Sequence, residues 1–246
     1  MIDPKHPRAT SLKIRDQIVD GVKQGITSTH GLIAQGRGEA FDYLIGEQTQ
    51  PFARKAIEAA SALLLMAKHP VLSVNGNSAA LTPKEYVELA NLLNCPIEIN
   101  LFHRTPEREQ AIKKHLEQFG AKQILIADNV NTKTIPAIAS PRKQVTADGI
   151  AKADVVFVPL EDGDRTEALV KLGKKVITVD LNPLSRTAQK ATITIVDNLV
   201  RAMPALITQI KKDKKNSKNL SNRLVEYNNT LILQEVSNFI AKHISS

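Results

Sequence analysis

The sequence predicts an α/β fold: a Rossmann-like, doubly wound, mostly parallel sheet with extra helices at the N- and C-terminal ends of the chain. Three observations predict it. Short β-branched runs alternate with helical patterns from Val71 to Val196, as crossover βαβ units require. Asn, Asp and Glu stand at the C-terminal tips of those runs, where open parallel sheets place ligand contacts. The 246 residues are 42% hydrophobic and 24% charged, an ordinary globular composition with enough chain for one large core or one core with an appendage.

The elements follow in order. Pro7 opens a helical pattern whose apolar face, Leu12, Ile14, Ile18, Val19 and Val22, runs to residue 23. Residues 25–47, punctuated by Gly25, Gly31, Gly36, Gly38 and Gly46, read as an unusual loop. Pro51 begins an Ala- and Leu-rich helix over 52–68. A strand at 71–74 ends in Asn75-Gly76-Asn77, and a helix follows Pro83. A strand at 97–101 precedes a helix over 106–118, then a strand at 124–126, a long polar connection over 128–152 and a strand at 155–158. A helix at 164–171 and strands at 176–179 and 191–196 complete the sheet. Right-handed crossovers bring Asn75, Asn77, Asn100, Asp128, Glu161, Asp162 and Asp180 to one edge.

After residue 202 the pattern is helical, broken over 211–219. A last helix over 220–243 carries the apolar face Leu224, Tyr227, Leu231, Val236 and Ile240. The expected organisation is one α/β nucleotide-binding catalytic domain over 1–210, with a basic linker and C-terminal helix over 211–246.

Composition excludes several function classes. The net charge is +8, and Lys211, Lys212, Lys214, Lys215 and Lys218 carry much of the excess. No aromatic residue interleaves with them, so a solvated linker is expected and not a nucleic-acid platform. No window resembles a spanning helix and the polar start does not resemble a signal peptide, so a cytoplasmic protein without membrane contact is expected. The single cysteine, Cys95, precedes Pro96 in an apolar run and reads as a buried, inert thiol. The six histidines show no metal-ligand spacing, and neither a GxSxG elbow nor a Ser-His-Asp order appears. Neither zinc chemistry nor a covalent serine mechanism is expected.

Four segments carry candidate chemistry. In the first, a strand ends at Asp180, a loop holds Asn182, Ser185 and Arg186, and Asp197-Asn198 follows the next strand. Carboxylate or amide for hydroxyls and a base edge, with arginine for phosphate, suits a nucleotide; ordinary turn chemistry fits the same residues. In the second, glycines flank Arg37, allowing close backbone approach while the guanidinium reaches an anion; a tight turn fits equally. In the third, Asn75 and Asn77 offer carboxamides at a strand tip, or a common Asn-Gly turn. In the fourth, Glu161, Asp162, Asp164, Arg165 and Glu167 cluster before a helix. They fit Mg²⁺ or ammonium binding, or simple capping.

Taken together, these segments resemble one family, the archaeal phosphopantothenate synthetases (4-phosphopantoate–β-alanine ligases). The resemblance runs over nearly the whole chain through His6-Pro7-Arg8 with Arg15, the 36–47 run, Ser73-Val74-Asn75-Gly76-Asn77, the 98–102 run, the 159–169 run, Asp180-Leu181-Asn182-Pro183-Leu184-Ser185-Arg186 and Ile195-Val196-Asp197-Asn198. Departures are confined to 121–147 and the C-terminal helix. The resemblance implies an ATP-dependent ligase of coenzyme A biosynthesis, homodimeric, that condenses 4-phosphopantoate with β-alanine and releases AMP and pyrophosphate. It implies nucleotide contacts at Arg15, Arg37, Asp180, Leu181, Asn182, Arg186, Thr187, Asn198 and Leu199. An acyl-adenylate route assigns charge stabilisation to Arg15, Arg37 and a bound Mg²⁺. The acid's phosphate falls to Asn75, Asn77 and Arg165, and the β-alanine ammonium to the 161–164 cluster, with Asp162 and Asp164 as the carboxylates nearest the chemistry. Two alternatives stay open: a kinase acting on a pantoate-like acid, and a basic RNA-binding protein.

Overall fold

Side chains alternate across the strands, and here both faces are apolar, so both faces must be covered. A computed structural model, which describes residues 6, 8–128 and 130–244, shows how. The N-terminal part consists of α1 (Ala9–Lys23), α2 (Thr29–Leu44) and α3 (Pro51–Met66). Then come β1 (Pro70–Val74), α4 (Gly76–Leu81), α5 (Pro83–Leu93), β2 (Ile97–Ile99), α6 (Pro106–Gln118) and β3 (Ile124–Ile126). A hairpin, β4 (Thr132–Thr134) and β5 (Gln144–Thr146), is followed by β6 (Val155–Phe157), α7 (Gly163–Lys171), β7 (Lys175–Val179), α8 (Arg186–Lys190) and β8 (Ile193–Ile195). The chain ends in α9 (Leu199–Lys215), α10 (Leu220–Glu226) and α11 (Asn229–Ile244).

Six strands form one parallel sheet in the order β3-β2-β1-β6-β7-β8. The order reverses between β1 and β6, where Pro70 pairs with Val155 and Leu72 with Phe157. Sheets of this kind leave a crevice beyond the strand ends at such a reversal. The α/β, doubly wound expectation therefore holds.

Leu72, Val74, Val155, Phe157, Ile177 and Val179 join the larger core, with residues of α3, α5, α6 and α9. Their alternates Val71, Val156, Val158 and Val176 join a smaller core with Ala168 and Leu169 of α7 and with Ile135, Ile138, Val145 and Ile150 around the hairpin. In α3 the small side chains of Ala53, Ala56, Ala59 and Ala60 are buried, and this helix packs on α9, α10, α11 and β8. Each Leu-, Ile- or Phe-sized side chain so buried stabilises the fold by about 1.5–3 kcal/mol before chain entropy is counted.

Four expectations need correction. The glycine-rich 25–47 segment is not a loop, because α2 occupies Thr29–Leu44. Its glycines serve contacts: a Cβ on Gly31 would collide with the Asn77 and Thr27 side chains, and one on Gly38 would lie 3.7 Å from Leu181. The 128–152 connection contains the β4–β5 hairpin and a short 3-10 turn at Pro141–Lys143. Lys211, Lys212, Lys214 and Lys215 belong to the last turns of α9 and not to a linker. The terminal helix is two helices, because Tyr227 leaves helical geometry and Asn228 Oδ1 accepts the Leu231 N–H at 3.1 Å to start α11. Pro7, expected to open α1, lies outside the described residues.

Candidate active site

The crevice at the strand reversal is a cleft of about 620 Å³, within the usual size for a small-molecule site. Its wall on the β7–β8 side carries Asp180, Leu181, Asn182, Ser185, Arg186, Thr187, Asn198 and Leu199; α2 contributes Arg37 and Gly38. Asn75, Gly76 and Asn77 line it below β1, and Glu161, Asp162 and Gly163 below β6.

Local rules explain these positions. Asn75 caps α4 by accepting the Ser78 N–H at 3.0 Å, while the Ser78 hydroxyl side closes the reciprocal bond to the Asn75 N–H. The Asn75 amide also donates to the Pro159 and Leu160 carbonyls at 3.0 and 3.1 Å. It thereby ties together the two loops that diverge at the reversal and holds Leu160 at φ 54°, an uncommon conformation for a non-glycine residue. Asn77 donates to the Gly31 carbonyl at 2.9 Å and accepts from Thr27, fastening α2 to α4. Both asparagines border the cleft, but these bonds engage their side-chain amide nitrogens.

Asp180 accepts from the Asn182 N–H at 2.9 Å and from the Ser185 hydroxyl. Ser185 in turn caps α8 through the Ala188 N–H at 2.9 Å. Burial raises the Asp180 pKa, opposed by those donors and by the Arg37 charge. Gly163 lets Arg186 cross α7 closely, since a Cβ there would meet Arg186 Cβ at 2.6 Å. Asn198 caps α9, and its amide donates to Asp42 Oδ2 at 2.8 Å. The N-terminal ends of α7 and α9 thus open toward the cleft, which favours anions.

Behind the cleft lies a buried ion network. The Glu161 side chain is 1% exposed and sits between Arg142 and Arg165. Arg142 also reaches Asp162 at 2.8 Å. Burial raises the Asp162 pKa; Arg142 opposes the shift, and Glu161 and Asp164 add to it. Glu98, fully buried, accepts from the Thr146 N–H at 3.1 Å, the Thr146 hydroxyl at 2.7 Å and the Ile150 N–H at 2.7 Å. Its pKa is raised by burial.

The structure brings together Arg37, Asp162, Asp180, Leu181, Asn182, Arg186, Thr187, Asn198, Leu199, Asn75 and Asn77. Three expected residues stand apart. Arg165 is wholly buried, donating to Glu161 and, at 3.4 Å, to Ser73, so it is not a surface for substrate. Asp164 sits in the first turn of α7 and does not line the cleft. Arg15 pairs with Glu39 at 2.7 and 2.8 Å in a separate groove with Val19, Leu32 and Tyr43. Of the other strand-tip residues, Asn100 is buried against the Gln144 carbonyl at 3.0 Å and Asp128 is exposed and bonds the Val130 and Asn131 N–H groups.

Sequence reasoning missed Thr27, His30, Arg108 and Arg142, all of which line the cleft. No local motif marks Arg108 in the first turn of α6, and Arg142 is carried in by the hairpin. His103, which follows β2, stacks on His30 with ring centroids 4.4 Å apart.

No group of three or more His, Cys, Asp or Glu residues suited to a metal occurs among the described residues. No helix of the described residues is long and apolar enough to cross a membrane.

Comparison with known proteins agrees with this geometry. The profile of the phosphopantothenate/pantothenate synthetase family matches residues 52–243. The chain is 52% identical over 236 residues to a 4-phosphopantoate–β-alanine ligase of Thermococcus kodakarensis, covering 96% of this chain and 90% of that protein. It is 49% identical over 244 residues to the ligase of the same name from Methanosarcina mazei, covering 98% and 94%. A match of this extent, together with the cleft at the strand reversal, places the chain in the phosphopantothenate/pantothenate synthetase family.

Proposed function

We propose that this protein is an ATP-dependent carbon–nitrogen ligase of coenzyme A biosynthesis that joins 4-phosphopantoate to β-alanine, releasing AMP and pyrophosphate. The observation that carries the reading is the convergence of Arg37, Arg108, Arg142 and Arg186 with Asp162 and Asp180 on one cleft at the strand reversal. Such a cleft accommodates a polyphosphate, a second anion and an ammonium together.

A carboxylate does not react with an amine until it carries a leaving group. The pantoate carboxylate attacks the α-phosphorus of ATP, pyrophosphate departs, and the β-alanine amine then displaces AMP from the acyl-adenylate. Arg37 and Arg186 face the phosphates and stabilise the charge that develops there. Asp180 and Asn182 hold the ribose or base, and the α9 start at Asn198-Leu199 closes that end. Asp162 receives the ammonium and its proton; its raised pKa moves it toward the working pH of a base. Glu161 is held by two arginines and Arg165 acts from behind by fixing it.

Mg²⁺, which neutralises phosphate charge when bound, fits this site as an ion carried by ATP with at most Asp162 beside it, since Glu161 is engaged. Arg15 in its separate groove reaches a nucleotide only through a shift of α1 or a second protomer. A homodimer belongs to this reading, and sedimentation tests it.

Product analysis tests the whole. Incubation with ATP, Mg²⁺, β-alanine and 4-phosphopantoate is expected to yield AMP and 4′-phosphopantothenate. ADP as the nucleotide product would favour the kinase alternative.

A further inference from the structure

Arg108 differs from the arginines of the cleft that carry ion pairs and from the exposed Arg37. Arg142 is paired with Glu161 and Asp162 and Arg186 with Glu167, while Arg37 stands in solvent. Arg108 donates only to backbone carbonyls, Ile26 O at 3.0 Å and His103 O, and its Nε is buried without a partner. Burial lowers its pKa, and no carboxylate offsets that effect. A half-buried guanidinium lacking a counter-ion is unfavourable unless an anion joins it.

Its surroundings supply further donors. His103 stacks on His30, and burial, with neighbouring Arg108 and Arg142 and against the pull of Asp162, lowers the His103 pKa, so its ring offers a neutral N–H. Gly76 gives Arg108 room, because a Cβ there would stand 2.8 Å from its Nη2. His103 and Arg108 follow β2, whereas Asp180 follows β7. Three strand spacings separate those strands in the order β2-β1-β6-β7, about 14 Å. A nucleotide against the β7–β8 wall therefore leaves the cluster free for a second anion.

We propose that Arg108, His103, His30 and Arg142 form a phosphomonoester subsite, and that Arg108 selects the phosphorylated acid over its unphosphorylated counterpart. The inference rests on the ligase reading and assigns its phosphate contact to residues other than Asn75, Asn77 and Arg165. A dianion here gains the charge of the Arg108 guanidinium that lines the cleft and hydrogen bonds from the imidazoles. A hydroxyl in the same place leaves Arg108 unpaired.

The test is calorimetric titration of 4-phosphopantoate and of pantoate into nucleotide-free protein, for wild type, Arg108→Gln and His103→Asn. Glutamine retains an amide donor for the carbonyl contacts while removing the charge. Arg108→Gln is expected to weaken 4-phosphopantoate binding about 10- to 100-fold, with pantoate and ATP affinities and the melting temperature nearly unchanged. Unaltered affinity for the phosphorylated acid, equal weakening of both acids, or no wild-type binding of 4-phosphopantoate would overturn the subsite. Should Arg108→Gln fail to fold, His103→Asn decides: selective loss for the phosphorylated acid supports the subsite, and no selective loss overturns it. Because binding is read without turnover, a wild type that binds the phosphorylated acid but forms no AMP sinks the ligase reading alone.

Discussion

Asn198 donates its side-chain amide to Asp42 Oδ2 at 2.8 Å, joining the first residue before α9 to the last turns of α2. Arg201 reaches the same carboxylate at 3.0 Å and also contacts Asp197. The end of α2 and the start of α9 are therefore one polar unit.

Removing Asp42 takes the amide partner from Asn198 and one of two carboxylates from Arg201, which keeps Asp197. Asp42→Ala is expected to destabilise the protein by about 1–3 kcal/mol, read by urea denaturation. Asn198→Ala removes a cap and is expected to lose about 1 kcal/mol, with a raised KM for ATP. An unchanged KM in the folded variant would detach Asn198 from the nucleotide.

Arg37 projects from α2 as an exposed side chain, so its removal leaves the core untouched. Arg37→Ala is expected to lower kcat/KM about 100-fold with an unaltered melting temperature. Wild-type kinetics in that variant would remove it from the phosphate site.

Glu98 provides a pH signature of stability. Burial raises its folded pKa above the unfolded value. The folded state thus binds its proton more tightly, and the stability this contributes is full below about pH 4.3 and is lost as pH rises through the folded value. Relative to Glu98→Gln, the wild type is expected to lose stability between pH 4 and pH 7. Denaturant titrations of both proteins at the two pH values measure the difference; parallel curves would contradict it.

The lysines at the end of α9 make surface contacts such as Lys211 to Glu88 at 2.5 Å, worth at most about 1 kcal/mol each. Replacing Lys211, Lys212, Lys214, Lys215 and Lys218 together by glutamine is expected to leave kcat within about twofold, since exposed pairs contribute little. A collapse of turnover assayed on the small-molecule substrates would show that this end of α9 serves the reaction.

Much of this fold was legible because its signals are local. Pro106 marks the start of α6 to the residue, and the near-continuous β-branched runs in β1, β6 and β7 mark strands covered on both faces. The α2 segment misled because glycine is read as a loop former; its glycines answer to Asn77, Thr27 and Leu181, which are distant in sequence. On the site side, Asp180, Asn182, Arg186 and Asn198 stand at strand tips and helix starts, where local pattern and function coincide. Arg142 and Arg108 carry no such mark. Their place in the cleft depends on the hairpin and on the β2-to-α6 turn, and Arg165 shows the converse, a promising motif residue that folding turns inward.

The hairpin inserted between β3 and β6 has a consequence for divergence. It delivers Arg142 to the cleft without contributing to the β7–β8 wall. On the proposed assignment, changes in the hairpin can therefore retune which acid is accepted while the nucleotide wall is inherited intact. The chain combines a replaceable selector with a fixed engine, and relatives with other acid preferences are expected to differ first between residues 128 and 152.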